Sequence, residues 1–125
     1  MNEIEVVVRG FHLDIFGHVN NARYLEFLED ARWHAFAEQI KGIQARRLAF
    51  VIANININYR KPIHLGDTIC IDATLHEKRN SCFVVAQKVY DKGTKEEKAD
   101  ALVTCVIVDP KTGRPVPMRE LEDIF

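Results

Sequence analysis

The sequence predicts an α+β fold. Two features carry this: one long amphipathic helical segment near the start, and four apolar, β-branched runs after it, joined by short turns. Short links between successive strands imply antiparallel neighbours. A helix with a single apolar stripe has to bury that stripe against a sheet face. The expected architecture is therefore a curved antiparallel sheet around a central helix, with residues 1–125 forming one domain.

The elements follow in order. Ile4 to Arg9 is short and β-branched, which reads as a strand. The next stretch, GFHLDIFGHVNN, holds two glycines and several polar side chains and reads as a loop. A helix should start at Asn20 or Asn21, because asparagine is a favoured N-cap, and it runs as ARYLEFLEDARWHAFAEQ. At 100° per residue, Tyr24, Phe27, Leu28, Ala31 and Ala35 share one apolar stripe, with Arg23, Glu26, Glu29 and Asp30 on or towards the other side. Trp33 falls outside the stripe, which suits a surface position or a subunit contact. Gly42 is expected just past the helix end. The strands that follow are Leu48–Tyr59, Thr68–Lys78, Cys82–Tyr90 and Ala99–Val108. Their connections carry turn residues: Pro62 and Gly66-Asp67, Arg79 to Ser81, and Asp91-Lys92-Gly93. The tail from Pro110 is proline-rich and ends in a segment suited to a short helical turn.

Composition removes several function classes. A net charge of −1 with 28% charged residues gives no global attraction to nucleic acid or to an acidic membrane. No apolar run approaches the roughly 20 residues needed to span a bilayer, and the N-terminus lacks the pattern of a signal peptide. Cys70, Cys82 and Cys105 are odd in number, form no CxxC pair and sit in strand-like runs, so reduced thiols in a cytoplasmic protein are expected. The one serine, Ser81, lies in no GxSxG elbow, and neither a P-loop nor a GxGxxG fingerprint is present.

Chemistry concentrates in the loop His12-Leu13-Asp14-Ile15-Phe16-Gly17-His18-Val19-Asn20-Asn21. It puts a carboxylate, two imidazoles and two amides just before a helix N-terminus, where unpaired N–H groups carry partial positive charge. Such a site can polarise a carbonyl, and Asp14 beside it has the chemistry of a general base or nucleophile. The competing reading is purely structural: Asp14 and Asn20 cap the helix and the histidines fill the loop. His12, Asp14 and His18 also have the ligand types of a two-histidine, one-carboxylate metal site, but no further cluster joins them, and no metal is expected. Two basic pairs, Arg60-Lys61 and Lys78-Arg79, fall at strand ends, suited either to ligand phosphates or to ordinary solvated turns. Asn54, Asn56 and Asn58 alternate with Ile55, Ile57 and Tyr59, giving that strand one polar face, either solvated or at a subunit interface.

The segment HLDIFGHVNNARYLEFLEDARW resembles the hotdog-fold thioesterases related to 4-hydroxybenzoyl-CoA thioesterase. The pattern D-x-x-G-H-V-N-N-x-x-Y falls on Asp14, Gly17, His18, Val19, Asn20, Asn21 and Tyr24. NINYRKP, followed by Gly66-Asp67, is a second match, and the whole looks especially like bacterial long-chain acyl-CoA thioesterases. The resemblance implies a five-stranded antiparallel sheet wrapped around one long helix, and homodimers or homotetramers with active sites between subunits. It also implies hydrolysis of acyl-CoA without a cofactor. On this mapping Asp14 is the catalytic carboxylate, the N–H near Asn21 polarises the thioester, and His18 and Asn20 orient substrate or water. Tyr24 lies by the substrate. Lys78, Arg79 and Arg60 meet the CoA phosphates, with Ser81 beside them. Glu29 is the counterpart in hotdog enzymes that carry the carboxylate on the helix. A different class of function on the same fold is a non-catalytic acyl-CoA or acyl-carrier-protein binder. No nucleic-acid partner and no stable membrane association are expected.

Overall fold

The computed structural model describes residues 3–125. Strand β1 (Glu3–Val7) leads into a 3-10 turn (Gly10–His12), then helix α1 (Asn21–Ala35) and helix α2 (Ala37–Ala45). The remainder is β2 (Ala49–Tyr59), β3 (Thr68–Asp72), β4 (Thr74–Lys78), β5 (Phe83–Asp91), β6 (Glu97–Asp109) and the two-residue β7 (Arg114–Pro115), closed by a 3-10 turn (Met118–Leu121). The main sheet path is β1-β3-β5-β6-β2, antiparallel throughout, with β4 continuing β3 along β5 and β7 on β6. Main-path order thus gives the five long strands expected, counting β3 and β4 together.

The expected strand Thr68–Lys78 is interrupted at Ala73, and two side chains explain how the break is tolerated. The Asp72 carboxylate accepts from Lys88 N (2.6 Å), and the Gln87 amide donates to Asp72 O (3.0 Å). Backbone groups that leave the ladder thus gain side-chain partners, as buried polar groups require.

The one long helix also differs from expectation: the structure has two helices, parted at Phe36 (φ −108°, ψ 25°). Phe36 is buried, with its ring 6.3 Å from that of Phe83. Gly42 does not end the helix but lies within α2, where an added Cβ would meet the Ile124 side chain at 3.4 Å. The stop comes later. Leu48 N donates to Ile43 O and Arg47 N to Gln44 O, the paired bonds of a Schellman cap, with Arg47 at φ 57° in the place glycine usually takes.

The expected stripe is the buried face of α1: Tyr24, Phe27, Leu28 and Ala31 are buried and Ala35 is half-buried. Opposite lie period-2 rows from β5 (Phe83, Val85, Gln87, Val89) and β6 (Ala99, Ala101, Val103, Cys105, Ile107), all buried. Full burial of a residue such as Phe27 or Leu28 contributes roughly 1.5–3 kcal/mol. β2 ends the sheet as an 11-residue edge strand, bulged between Ile52 and Asn54. Asn54, Asn56 and Asn58 are exposed, while Ile55 and Ile57 are half-buried.

Candidate active site

The loop between β1 and α1 is a small hairpin. Leu13 bridges Val19, and His18 bridges His64 from the segment before β3. Asp14 N donates to His18 O (2.8 Å) and Gly17 N to Asp14 O (3.2 Å); Gly17 supplies the positive φ (82°) that this turn requires. Asp14 Oδ1 accepts from Phe16 N (2.8 Å) and His18 N (3.3 Å). The carboxylate is thus fixed by its own turn through one oxygen. Its second oxygen accepts no hydrogen bond from the described residues.

The hairpin delivers the chain to α1. Val19 N donates to Ile63 O and Asn20 N to His12 O, which pins both strands of the loop. Asn20 is the N-cap, its side chain accepting from Ala22 N (2.9 Å). Arg23 N donates to Asn20 O. The Asn21 N–H has no acceptor among the described residues, so it is a spare donor at the positive end of a 15-residue helix.

The histidines stand apart in role. His12 Nδ1 accepts from Arg9 N (2.9 Å), and its ring meets Phe27 edge-on at 5.3 Å. Burial, then the charge of Arg23, lowers its pKa, which keeps the accepting nitrogen free of a proton. His18 faces His64, ring centroids 5.1 Å apart. His12, Asp14 and His18 are therefore not gathered as ligands. Among the described residues no group of three or more His, Cys, Asp or Glu side chains is placed to hold a metal ion.

Tyr24 is buried beneath the helix start, packed edge-on against Tyr59 at 4.9 Å, and its hydroxyl pKa is pushed up to about 12 by burial and then by Tyr59. Tyr59, not singled out from the sequence, donates its hydroxyl to Asn21 O (3.3 Å) and so ties the end of β2 to the first turn of α1. Its position in NINYRKP was the available signal.

The basic residues divide. Arg60 follows Tyr59 and lies at the Asp14 end of the molecule, but its Nε is 2.7 Å from Asp100 Oδ2. Asp100 also accepts from Asn58 (3.0 Å), and its pKa falls to about 2, chiefly through the Arg60 hydrogen bond. Lys78, Arg79 and Ser81 sit at the opposite end of the sheet. Val7 pairs with Thr68 and Lys78 with Phe83, so β3 and β4 separate the two ends by about 30 Å at some 3.3 Å per residue. Arg79 pairs with Glu77 at 3.0 Å. The structure does not bring this turn to Asp14 of the same chain.

A cavity of about 720 Å³ lies between the helices and the sheet, lined among others by Glu29, Arg32, Trp33, Phe36, Ile52 and Phe83. Trp33, 58% exposed, forms part of its wall. Cys105 also lines it, and burial pushes that thiol up to about 11, which removes it as a nucleophile at neutral pH. Asn21, Leu25, Glu29 and Trp33 follow at four-residue steps, so one stripe of α1 joins the helix start to the cavity. β2 spans the same interval, from Ile52 at the cavity to Tyr59 at Asn21.

Residues 8–122 match the model of the thioesterase-like superfamily. The chain belongs to this family. It is 40% identical over 118 residues to the long-chain acyl-CoA thioesterase FadM of Escherichia coli K12, covering 93% of this chain and 89% of that one. The crystal structure of the probable thioesterase YbaW from Escherichia coli superimposes with a TM-score of 0.92 at 39% identity, covering 98% of this chain and 94% of that chain. A Thermus thermophilus thioesterase complexed with coenzyme A and zinc superimposes at a TM-score of 0.79 and 31% identity, covering 92% of this chain and 83% of that one. These neighbours support the hotdog-type reading of the α+β fold; the helical layer of this chain is divided at Phe36.

Proposed function

We propose that the chain hydrolyses long-chain acyl-CoA thioesters to the free acid and CoA. One observation carries the reading: a carboxylate anchored through a single oxygen, Asp14, on the hairpin that ends at the spare Asn21 N–H. Such a donor stabilises the negative charge that develops on a thioester oxygen. In one route Asp14 takes a proton from water, the hydroxide adds to the carbonyl carbon, and the C–S bond breaks to release CoA thiolate. In the other, the free carboxylate oxygen attacks the same carbon, CoA thiolate leaves, and water then hydrolyses the mixed anhydride. His18 and Asn20 hold the turn that presents Asp14 and the helix N-terminus. The stripe from Asn21 to Trp33 supports an acyl chain lying along α1 and entering the apolar cavity. Thiol release across short, long and aromatic acyl-CoAs tests this. The expected order puts long chains above acetyl-CoA, since each added buried methylene contributes about 0.8 kcal/mol. A preference for aromatic or very short acyl groups would reject the substrate class, and no thiol release from any of them would reject the enzyme.

We further propose that the working unit is a homodimer or homotetramer. β2 leaves one edge of the sheet unpaired among the described residues, and such edges are normally paired or protected. Ile15 and Phe16, beside Asp14, are 93% and 80% exposed, which favours a covered surface. In such an assembly Lys78, Arg79 and Ser81 of one copy would serve the CoA phosphates of another, because they stand at the far end of the sheet from their own Asp14. Light scattering at micromolar concentration should then report at least a dimer. In the same protein Lys78→Ala with Arg79→Ala should raise KM more than it lowers kcat, because remote phosphate contacts bind ground and transition states alike. A stable monomer, or an unchanged KM at low salt, would overturn this arrangement. The three unpaired cysteines support a cytoplasmic setting, and among the described residues no helix is long and apolar enough to cross a membrane.

A further inference from the structure

Arg32 is out of place by ordinary expectation. It stands in the last turn of α1, only 7% exposed, yet it lines the otherwise largely apolar cavity. Among the described residues its guanidinium makes one hydrogen bond, from Nη1 to Gln87 Oε1 at 3.0 Å. Among the described residues no carboxylate lies within 4.0 Å of it. No buried side-chain nitrogen or oxygen among them lacks a partner, so the remaining donors of Arg32 open to the cavity space. A guanidinium carries five N–H donors in a planar fork that matches a carboxylate. Gln87 holds that fork from behind, since its own amide is fixed by Leu28 O and Asp72 O, each at 3.0 Å. The charge of Glu29, three residues earlier on α1, favours the guanidinium without bonding to it, and a largely buried cation is costly unless something pairs with it directly. The C-terminal end of the helix dipole offsets part of that cost, but leaves the free donors unused.

We propose that the cavity is a binding site for an aliphatic carboxylate, with Arg32 on the carboxylate and the hydrocarbon against Trp33, Phe36 and Phe83. The inference rests on the reading that this cavity houses an acyl chain. Two sources have the required chemistry. One is a free fatty acid taken up from solution with its carboxylate at Arg32, the reverse of an acyl chain whose thioester lies at Asn21. The other is the far-end carboxyl of a dicarboxylic acyl-CoA whose thioester lies at Asn21. Asn21 and Arg32 are eleven residues apart, or about 16 Å along the helix at 1.5 Å per residue. That is of the order of a long acyl chain. Glu29 lines the same cavity and opposes an anion there, so Glu29→Gln should tighten binding.

The test compares an acid with its alcohol, so that cavity shape cancels. Calorimetry on the intact protein should find dodecanoate bound about 10–100-fold more tightly than dodecanol, the range of a charge-assisted hydrogen bond. In Arg32→Met the two should bind alike. Gln87→Glu, which supplies Arg32 with an internal carboxylate, should also remove the preference and covers the case in which Arg32→Met does not melt cooperatively. Kinetics separates the sources. A lower KM for dodecanedioyl-CoA than for dodecanoyl-CoA in the wild type assigns Arg32 to the substrate's far end. Competitive inhibition by dodecanoate without that difference assigns it to a free fatty acid. Equal binding of acid and alcohol by the wild type, or a preference that survives both variants, overturns the proposal. Because binding needs no turnover, a preserved acid preference in a protein that hydrolyses no acyl-CoA would defeat the proposed function and leave this site standing.

Discussion

Replacing Asp14 with asparagine should leave a folded protein that binds acyl-CoA but whose kcat falls by about 10²–10⁴-fold, the usual contribution of a general base, or further if the carboxylate attacks directly. The substitution is chosen for the turn it sits in. Asp14 Oδ1 accepts from Phe16 N and His18 N, and an asparagine Oδ1 can accept both. The hairpin, and with it the Asn20 cap of α1, is therefore retained. What is lost is the basicity and nucleophilicity of the second oxygen, which accepts no hydrogen bond from the described residues. Asp14→Ala would be a poorer experiment, because it removes the two turn hydrogen bonds and confounds loop geometry with chemistry. Thermal melting and acyl-CoA titration should accompany the kinetics. A folded Asp14→Asn protein with most of its kcat would make Asp14 a turn-former only. Glu29 would then be the next carboxylate to change, and a non-catalytic acyl-CoA binder would become the stronger reading if that also left the rate intact.

The readable parts of this molecule were the local ones. The stripe of α1 and the Asn20 cap follow from spacing and side-chain chemistry within a few residues, and both stand in the structure. Asp14 stood out because a short polar side chain before a helix start has few ways to be placed, and its family pattern covers the same loop. The break at Phe36 was not readable, because ARWHAFAEQ continues the helical pattern. Burial of Phe36 beside Phe83, from a distant strand, accompanies the break. Gly42 reads as a stop from sequence, yet it lies within α2, with the C-terminal Ile124 close against it. The basic pairs show the same limit. Arg60 reads as a free cation from the sequence, but strand pairing sets Asn58 opposite Asp100 and so brings that carboxylate to it. Gln87 carries a local signal: it shares period and face with Phe83, Val85 and Val89, so it is a polar residue in an apolar row.

That residue supplies the largest expected effect on stability. Gln87 is 1% exposed and makes three hydrogen bonds: to Leu28 O on α1, to Asp72 O at the strand break, and from Arg32. It thereby joins the helix to two strands of the sheet. Gln87→Leu keeps nearly the same volume, so no large cavity opens, and the added apolar burial offsets part of the loss. The remaining cost is electrostatic. Asp72 O loses a donor in the core, and the Arg32 guanidinium loses its one acceptor among the described residues. A buried group left without its partner costs about 1–3 kcal/mol, more when charged, so the net destabilisation should be about 3 kcal/mol. Against a typical domain stability of about 5–15 kcal/mol that is a large fraction, and it should lower Tm by about 10 °C. Lys88→Ala, next along the same strand but exposed, should leave Tm nearly unchanged, because the backbone N–H that Asp72 accepts from is kept. Gln87→Leu should also loosen Arg32, so its loss of acid preference in the cavity should exceed what the fall in stability alone produces. A Gln87→Leu protein that melts with the wild type would mean that water satisfies these groups and that the amide does not staple helix to sheet.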